Sequence, residues 1–112
     1  MTHWHRTCRD AAEVIDRTGV LRPNMHPLIG YALVWMADRP SRSRASLGLT
    51  SWTLSCDRME RLFEVREPVD AVRWLDWAKA HDVPPGILGS GDPRCWWVSE
   101  VPQTVYAIEE AA

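Results

Sequence analysis

Apolar and polar positions change period several times along this chain, and each change marks an element. Residues 1–8 read as a short strand. Thr7 to Asp10 has the Ser/Thr-x-x-Asp/Glu form of a capping box, in which a hydroxyl and a carboxylate satisfy free N–H groups at a helix start. Ala11, Ala12, Val14 and Ile15 then suit a short amphipathic helix that Gly19 is placed to end. Residues 20–23 read as extended, 24–30 as a loop, and the apolar run 31–37 as a buried strand. Residues 38–46 carry Arg39, Arg42 and Arg44 among serines and read as an exposed loop. Over 46–56, Thr50, Trp52 and Leu54 alternate with Ser51, Thr53 and Ser55, the period of a strand, and 57–60 is a turn. Residues 62–67 alternate again. Pro68 is then expected to open a helix running to about residue 80, with Val69, Val72, Leu75 and Ala78 in its stripe and Trp74 and Trp77 widening it. Residues 81–93 are turn and loop. Residues 95–99 and 104–108 are the last strands, with a bend at Pro102, and the tail 109–112 is expected to fray.

The resulting order, β-α-β-β-β-β-α-β-β, implies an α+β fold: one small domain over residues 1–112 with a bent, mainly antiparallel sheet and two main helices. It lacks the regular β-α alternation of a doubly wound fold and has no glycine-rich phosphate fingerprint.

Composition narrows the classes. With 112 residues the chain is large enough for one core and too small for two. A net charge of −2 gives no global attraction to nucleic acid or anionic membrane. No apolar run approaches a bilayer span, and Arg6, Arg9 and Asp10 interrupt any signal-like stretch. Cys8, Cys56 and Cys95 are odd in number, far apart and without a Cys-x-x-Cys pair, so a cytoplasmic protein with reduced thiols is expected. Lys79 is the sole lysine against 12 arginines, a bias of GC-rich coding as in an actinobacterium or its phage. Seven tryptophans supply large apolar area with a polar handle, suited both to a core and to a binding cleft.

Candidate chemistry begins with His5, at the end of the first strand and beside a helix N-terminus, where a ligand's sugar or phosphate can be held. The same position also suits a surface histidine. His3 and His5 share a strand face and would form a metal pair if His26 or Cys8 supplied a third ligand. Cys56 and Cys95 read as small buried residues, and Ser51 and Ser99 lack the setting of a nucleophile elbow.

Together these pieces resemble the ADP-ribosyltransferase-like superfamily, which includes RNA 2′-phosphotransferases and compact bacterial toxins. The carriers are His5 and Thr7 on the first strand and Gly19, Leu21 and Pro23 in a turn of the Gly-x-Leu-x-Pro type. Val34, Trp35 and Asp38 follow on a strand of the Val-Trp-x-x-Asp type, with Ser99-Glu100-Val101-Pro102 near the end. The resemblance implies a split sheet and NAD as cofactor. Cleavage of the nicotinamide–ribose bond builds positive charge on the ribose, as in glycoside cleavage. His5 would fix the ribose hydroxyls, with Thr7 adding a hydrogen bond to NAD. Trp35 or Tyr31 would stack on the nicotinamide, and Glu100 would steady the developing charge. Arg58 would contact the diphosphate, or else pair with Asp57 or Glu60. The usual transferase glutamate of the superfamily sits in a Glu-x-Glu or Gln-x-Glu pair that also positions the acceptor; Ser99-Glu100 is not that pair, and Glu100 also suits a solvated strand end. The implied activity is ADP-ribosyl transfer or NAD glycohydrolysis, with the acceptor (protein, nucleic acid or water) left open. The rival is a non-catalytic protein that inhibits a host protein through a Trp/Arg-rich surface.

Overall fold

A computed structural model describes residues 1–40, 60–84, 86–88 and 91–109. The strand expected over 46–56, the loop at 41–46, and Arg58, Cys56 and Ser51 lie outside the described residues.

The first strand, β1 (His3–Thr7), leads into helix α1 (Arg9–Thr18). The capping box does not form. Thr7 is still the last residue of the strand, the N-cap is Cys8, and no side chain of the expected motif caps the helix. The first free N–H is instead taken from a distance: Arg9 N donates to Glu60 Oε2 at 2.6 Å. The other end follows expectation. Gly19 adopts φ 67°, and its N–H bonds the Ile15 carbonyl at 2.7 Å. Ala12 and Ile15 face the core, whereas Val14, expected in the same stripe, is exposed.

Two short strands, β2 (Val20–Leu21) and β3 (Asn24–Met25), precede β4 (Ala32–Ala37). Part of the expected loop is therefore a hairpin: Asn24 pairs with Leu33 and Met25 with Ala32. After β5 (Arg61–Val65) comes the largest departure. Residues 68–71 are not helical, β6 (Val72–Arg73) is a strand, and α2 is only Trp74–Ala80. The reason is tertiary. Val69 N donates to Gln103 Oε1, and the Val69 carbonyl accepts from Gln103 Nε2 and from Ser99 Oγ, all at 2.8 Å. A backbone committed on both sides to another segment cannot close a helical turn, and Asp70 at φ 51° completes the break. Val69 and Val72 consequently lie exposed rather than in the helix stripe. A 3-10 turn (Pro93–Cys95), β7 (Trp96–Ser99), β8 (Gln103–Thr104) and β9 (Tyr106–Ile108) complete the chain.

Among the described residues the main sheet runs β6-β7-β4-β1-β5-β9 with β3 added to β4, and β2 and β8 form a separate pair; every pairing is antiparallel. The fold is α+β, with two α-helices among the described residues, as the element order implies. Its seam is β1 against β4. β1 matches β5 over five register pairs from His3–Val65 to Thr7–Arg61, yet it meets β4 only at Trp4–Ala37. Beyond that pair the two strands part. Cross-strand partners share a face, so the register sorts the side chains. Val34, Met36, Phe63 and Val65 pack with Ala12 and Ile15 of α1. Leu33, Trp96 and Val98 pack with Trp74, Trp77 and Ala78 of α2, with half-buried Trp35 against them.

Candidate functional site

The parting of β1 and β4 has a structural cause and a chemical consequence. Where the ladder stops, the Trp35 carbonyl takes its hydrogen bond from a side chain: His5 Nδ1 lies 2.7 Å from it. A carbonyl oxygen only accepts, so Nδ1 carries the proton, and in the neutral ring Nε2 is the acceptor nitrogen. The imidazole is thus oriented by the strand that has moved away. Thr7 is on the same face, two residues nearer the open end, and is buried.

The other expected residues are distributed differently. His5 pairs with Phe63 and lies on the α1 face, while the Trp35 indole lies on the α2 face. It packs 4.9 Å from Trp74 and 6.1 Å from Trp96, measured between ring centroids. What the Trp35 residue brings to His5 is its carbonyl and not its ring. Tyr31 belongs to the α2 side as well, edge-on to Trp77 at 4.9 Å and to His81 at 5.3 Å. The structure therefore brings neither candidate stacking ring to the imidazole. Glu100 is exposed on the bend that follows β7. Trp97 pairs with Met36, so a continued register would set Glu100 opposite Leu33. That is three residues along β4 from the row of His5, roughly 10 Å at about 3.3 Å per residue, and because Leu33 packs in the α2 cluster this register sets Glu100 on the face opposite His5. Arg58 is outside the described residues.

The bend that carries Glu100 is fixed by a buried residue that sequence reasoning missed. Gln103 is 1% exposed. Its Oε1 serves Val69 N, and its Nε2 lies 2.8 Å from the Val69 carbonyl and 3.0 Å from both Ser99 Oγ and the Val101 carbonyl. Val101 N in turn donates to Ser99 Oγ at 3.2 Å. A fully engaged amide of this kind fixes one geometry, because any alternative leaves a buried polar group unpaired. Ser99 is part of this lock. The only advance signal was a polar pair, Ser99 and Gln103, flanking Pro102 among apolar residues.

A second constellation lies at the joined end of β1 and β4. His3, 1% exposed, packs its ring 4.6 Å from that of Trp97. From the other side, Arg73 of β6 holds its guanidinium carbon 5.1 Å from the Trp97 ring centre. An open cavity of about 470 Å³ is lined here by Met1, Asp38, Arg39, Arg73 and Trp97. Burial pushes the His3 imidazole below its ordinary value, with the Thr2 backbone and Asp38 pulling the other way, so the ring is neutral at pH 7. Burial, followed by the bond to Asp92, raises the Cys95 thiol, which keeps its proton and is a poor nucleophile. Cys8 and Cys95 are both buried. Among the described residues no group of three or more His, Cys, Asp or Glu side chains is placed to hold a metal ion.

Among the described residues no helix is long and apolar enough to cross a membrane. Comparison with protein-family models, with curated proteins and with solved structures gives no match.

Proposed function

We propose that this chain is an ADP-ribosyltransferase-like domain that binds NAD where β1 and β4 part, and that it cleaves the nicotinamide–ribose bond. One observation carries the reading: the His5 ring is held at that parting by the Trp35 carbonyl at 2.7 Å, in the first-strand position where the resemblance puts the histidine that fixes the ribose. Thr7 lies on the same face toward the open end, and Glu100 stands on a bend held rigid by Gln103. A carboxylate there would act on the cationic ribose of the transition state. Calorimetry with NAD, followed by chromatographic assay of released nicotinamide, tests it. Saturable binding that His5→Ala abolishes while the variant stays folded, its melting temperature lowered only as far as the unpaired Trp35 carbonyl accounts for, supports the reading. Absence of NAD binding by the parent protein removes it.

A second reading, a binding protein without catalysis, is favoured by a different observation. The rings of Trp35 and Tyr31 lie away from His5, while Met25 and Leu28 are about two-thirds exposed beside Tyr31 on one hairpin. That hairpin is stiff. His26 N bonds the Tyr31 carbonyl, Gly30 N bonds the His26 carbonyl at 2.8 Å, and Ile29 anchors the turn in the α2 core. Preorganised apolar anchors of this kind suit a protein partner. No NAD binding, together with cellular photo-crosslinks at Leu28 that Met25→Asp removes, would move this reading to the front.

A further inference from the structure

We propose that His3 is an acid-operated latch on the joined end of β1 and β4: protonation of its buried ring drives the ring off Trp97 and opens the two strands there, while β1 stays paired with β5. The latch does not rest on the NAD reading.

The seam that it holds is narrow. Asp38 N donates to the Cys95 carbonyl, so even-numbered residues at this end of β4 turn their backbone groups to the β7 side, and Ala37 turns its own to β1. Trp4 and Ala37 therefore exchange both backbone bonds, and theirs is the one register pair between these strands among the described residues. The His3 ring reinforces that pair. Trp97 belongs to β7, on the far side of β4, so the 4.6 Å contact between the two rings passes over β4 and ties β1 to β7. His5 hangs from the same strand two residues on, so an opening at this end travels toward its bond with the Trp35 carbonyl.

The slot suits a neutral ring. His3 is buried, and an imidazolium has two N–H groups to satisfy. The Thr2 backbone serves the ring once, whereas Nδ1 is buried with no partner. The surrounding charges give a cation little shelter. Arg73 of β6 already holds its guanidinium carbon 5.1 Å from the Trp97 ring centre, and the Met1 ammonium repels a second cation. Asp38, the carboxylate that favours the charged ring, is bonded to Arg39 at 2.9 Å. On β5 the cross-strand partner is the apolar Val65, while Glu64 and Arg66 lie on the other face and bond each other. On α1, Asp16 is held by Arg61. Burial accordingly keeps the ring below its ordinary value. Released from the slot, the ring regains a value of about 6.5. Acid below that point therefore favours the open form, by up to roughly tenfold per pH unit, until the depressed value is reached.

Amide hydrogen exchange of the whole protein, followed by NMR between about pH 7.5 and about pH 5 and corrected for intrinsic rates, tests the latch. The Trp4 and Ala37 amides should lose protection by up to roughly tenfold per pH unit below about pH 6.5. The Phe63 amide, in the ladder between β5 and β1, should keep its protection. The His3 ring resonances of the parent should titrate over the same range as the opening. His3→Phe keeps a ring against Trp97 without a titrating proton, and should abolish the acid response at Ala37. Constant protection at Ala37 overturns the proposal, as does an acid response that His3→Phe retains. Joint loss at Phe63 would make the event global unfolding and overturn it too. A His3 ring that titrates outside the range of the opening overturns it in the parent protein itself, whether or not the variant folds.

Discussion

At the scale of the residue, this protein repeatedly uses a side chain where backbone pairing fails. His5 takes the carbonyl that β1 no longer serves, and Gln103 takes both backbone groups of Val69. His3 differs, since it is buried and its Nδ1 is unpartnered. That has a consequence for pH. A histidine whose folded value lies below its unfolded one binds protons more readily when unfolded. The stability it contributes is therefore complete above the ordinary value of about 6.5 and is lost as pH falls toward the depressed folded value. The melting temperature should fall between neutral pH and mildly acidic pH, before carboxylates titrate. His3→Phe, which keeps a ring against Trp97, should flatten that fall, and an unchanged slope would clear His3 of the effect. Trp35 gives a sharper residue-scale test. Its indole is part of the α2 cluster while its carbonyl serves His5, so Trp35→Phe should cost about 1–2 kcal/mol of stability and leave NAD affinity unaltered. A folded Trp35→Phe protein with much weaker NAD binding would restore a stacking role to the ring.

At the scale of the element, local pattern and tertiary demand can be separated. β1, α1, β4, β5 and β7 were legible because their periodicity and the Gly19 terminator are local signals. The capping box was not, because Thr7 is needed as the last strand residue and a carboxylate 51 positions away reaches the helix end first. Glu60→Ala should therefore destabilise the protein by about 1 kcal/mol, the usual effect of losing a cap, whereas Asp10→Ala should cost less. Denaturant midpoints of the two variants would decide between these helix starts. The start of α2 misled for the same reason. Pro68 and the Val69–Val72 spacing are sound helix signals, but Gln103 claims Val69 from 34 residues away. Gln103→Leu should cost about 3 kcal/mol, since buried groups left unpaired cost roughly 1–3 kcal/mol each. Of the expected site, the position of His5 on the first strand was readable. The face each aromatic would occupy was not, because strand register is set by partners far along the chain. Trp96 and Trp97 show this most plainly: adjacent in sequence, one fills the α2 core and the other braces the cavity wall.

At the scale of the whole molecule, the sheet is joined at one end of β1 and β4 and open at the other, with a helix covering each face. The open end is where β1 and β4 part and where the bend after β7 follows on from its pairing with β4, and Glu100 is the test of whether that end is functional. Glu100 is exposed, and its bend is held by Ser99 and Gln103 rather than by its own carboxylate. Glu100→Gln should therefore leave the melting temperature and the NAD affinity nearly unchanged, because shape and the His5 contact persist. If the carboxylate steadies a ribose cation that exists only in the transition state, nicotinamide release should fall roughly 100-fold or more. Calorimetry and product assay on the same preparation separate the two effects. Equal losses of binding and rate would make Glu100 a ground-state contact. Full activity in Glu100→Gln would show that the roughly 10 Å between its row and that of His5 is not bridged by bound NAD, and would transfer the chemistry to another group at the parting.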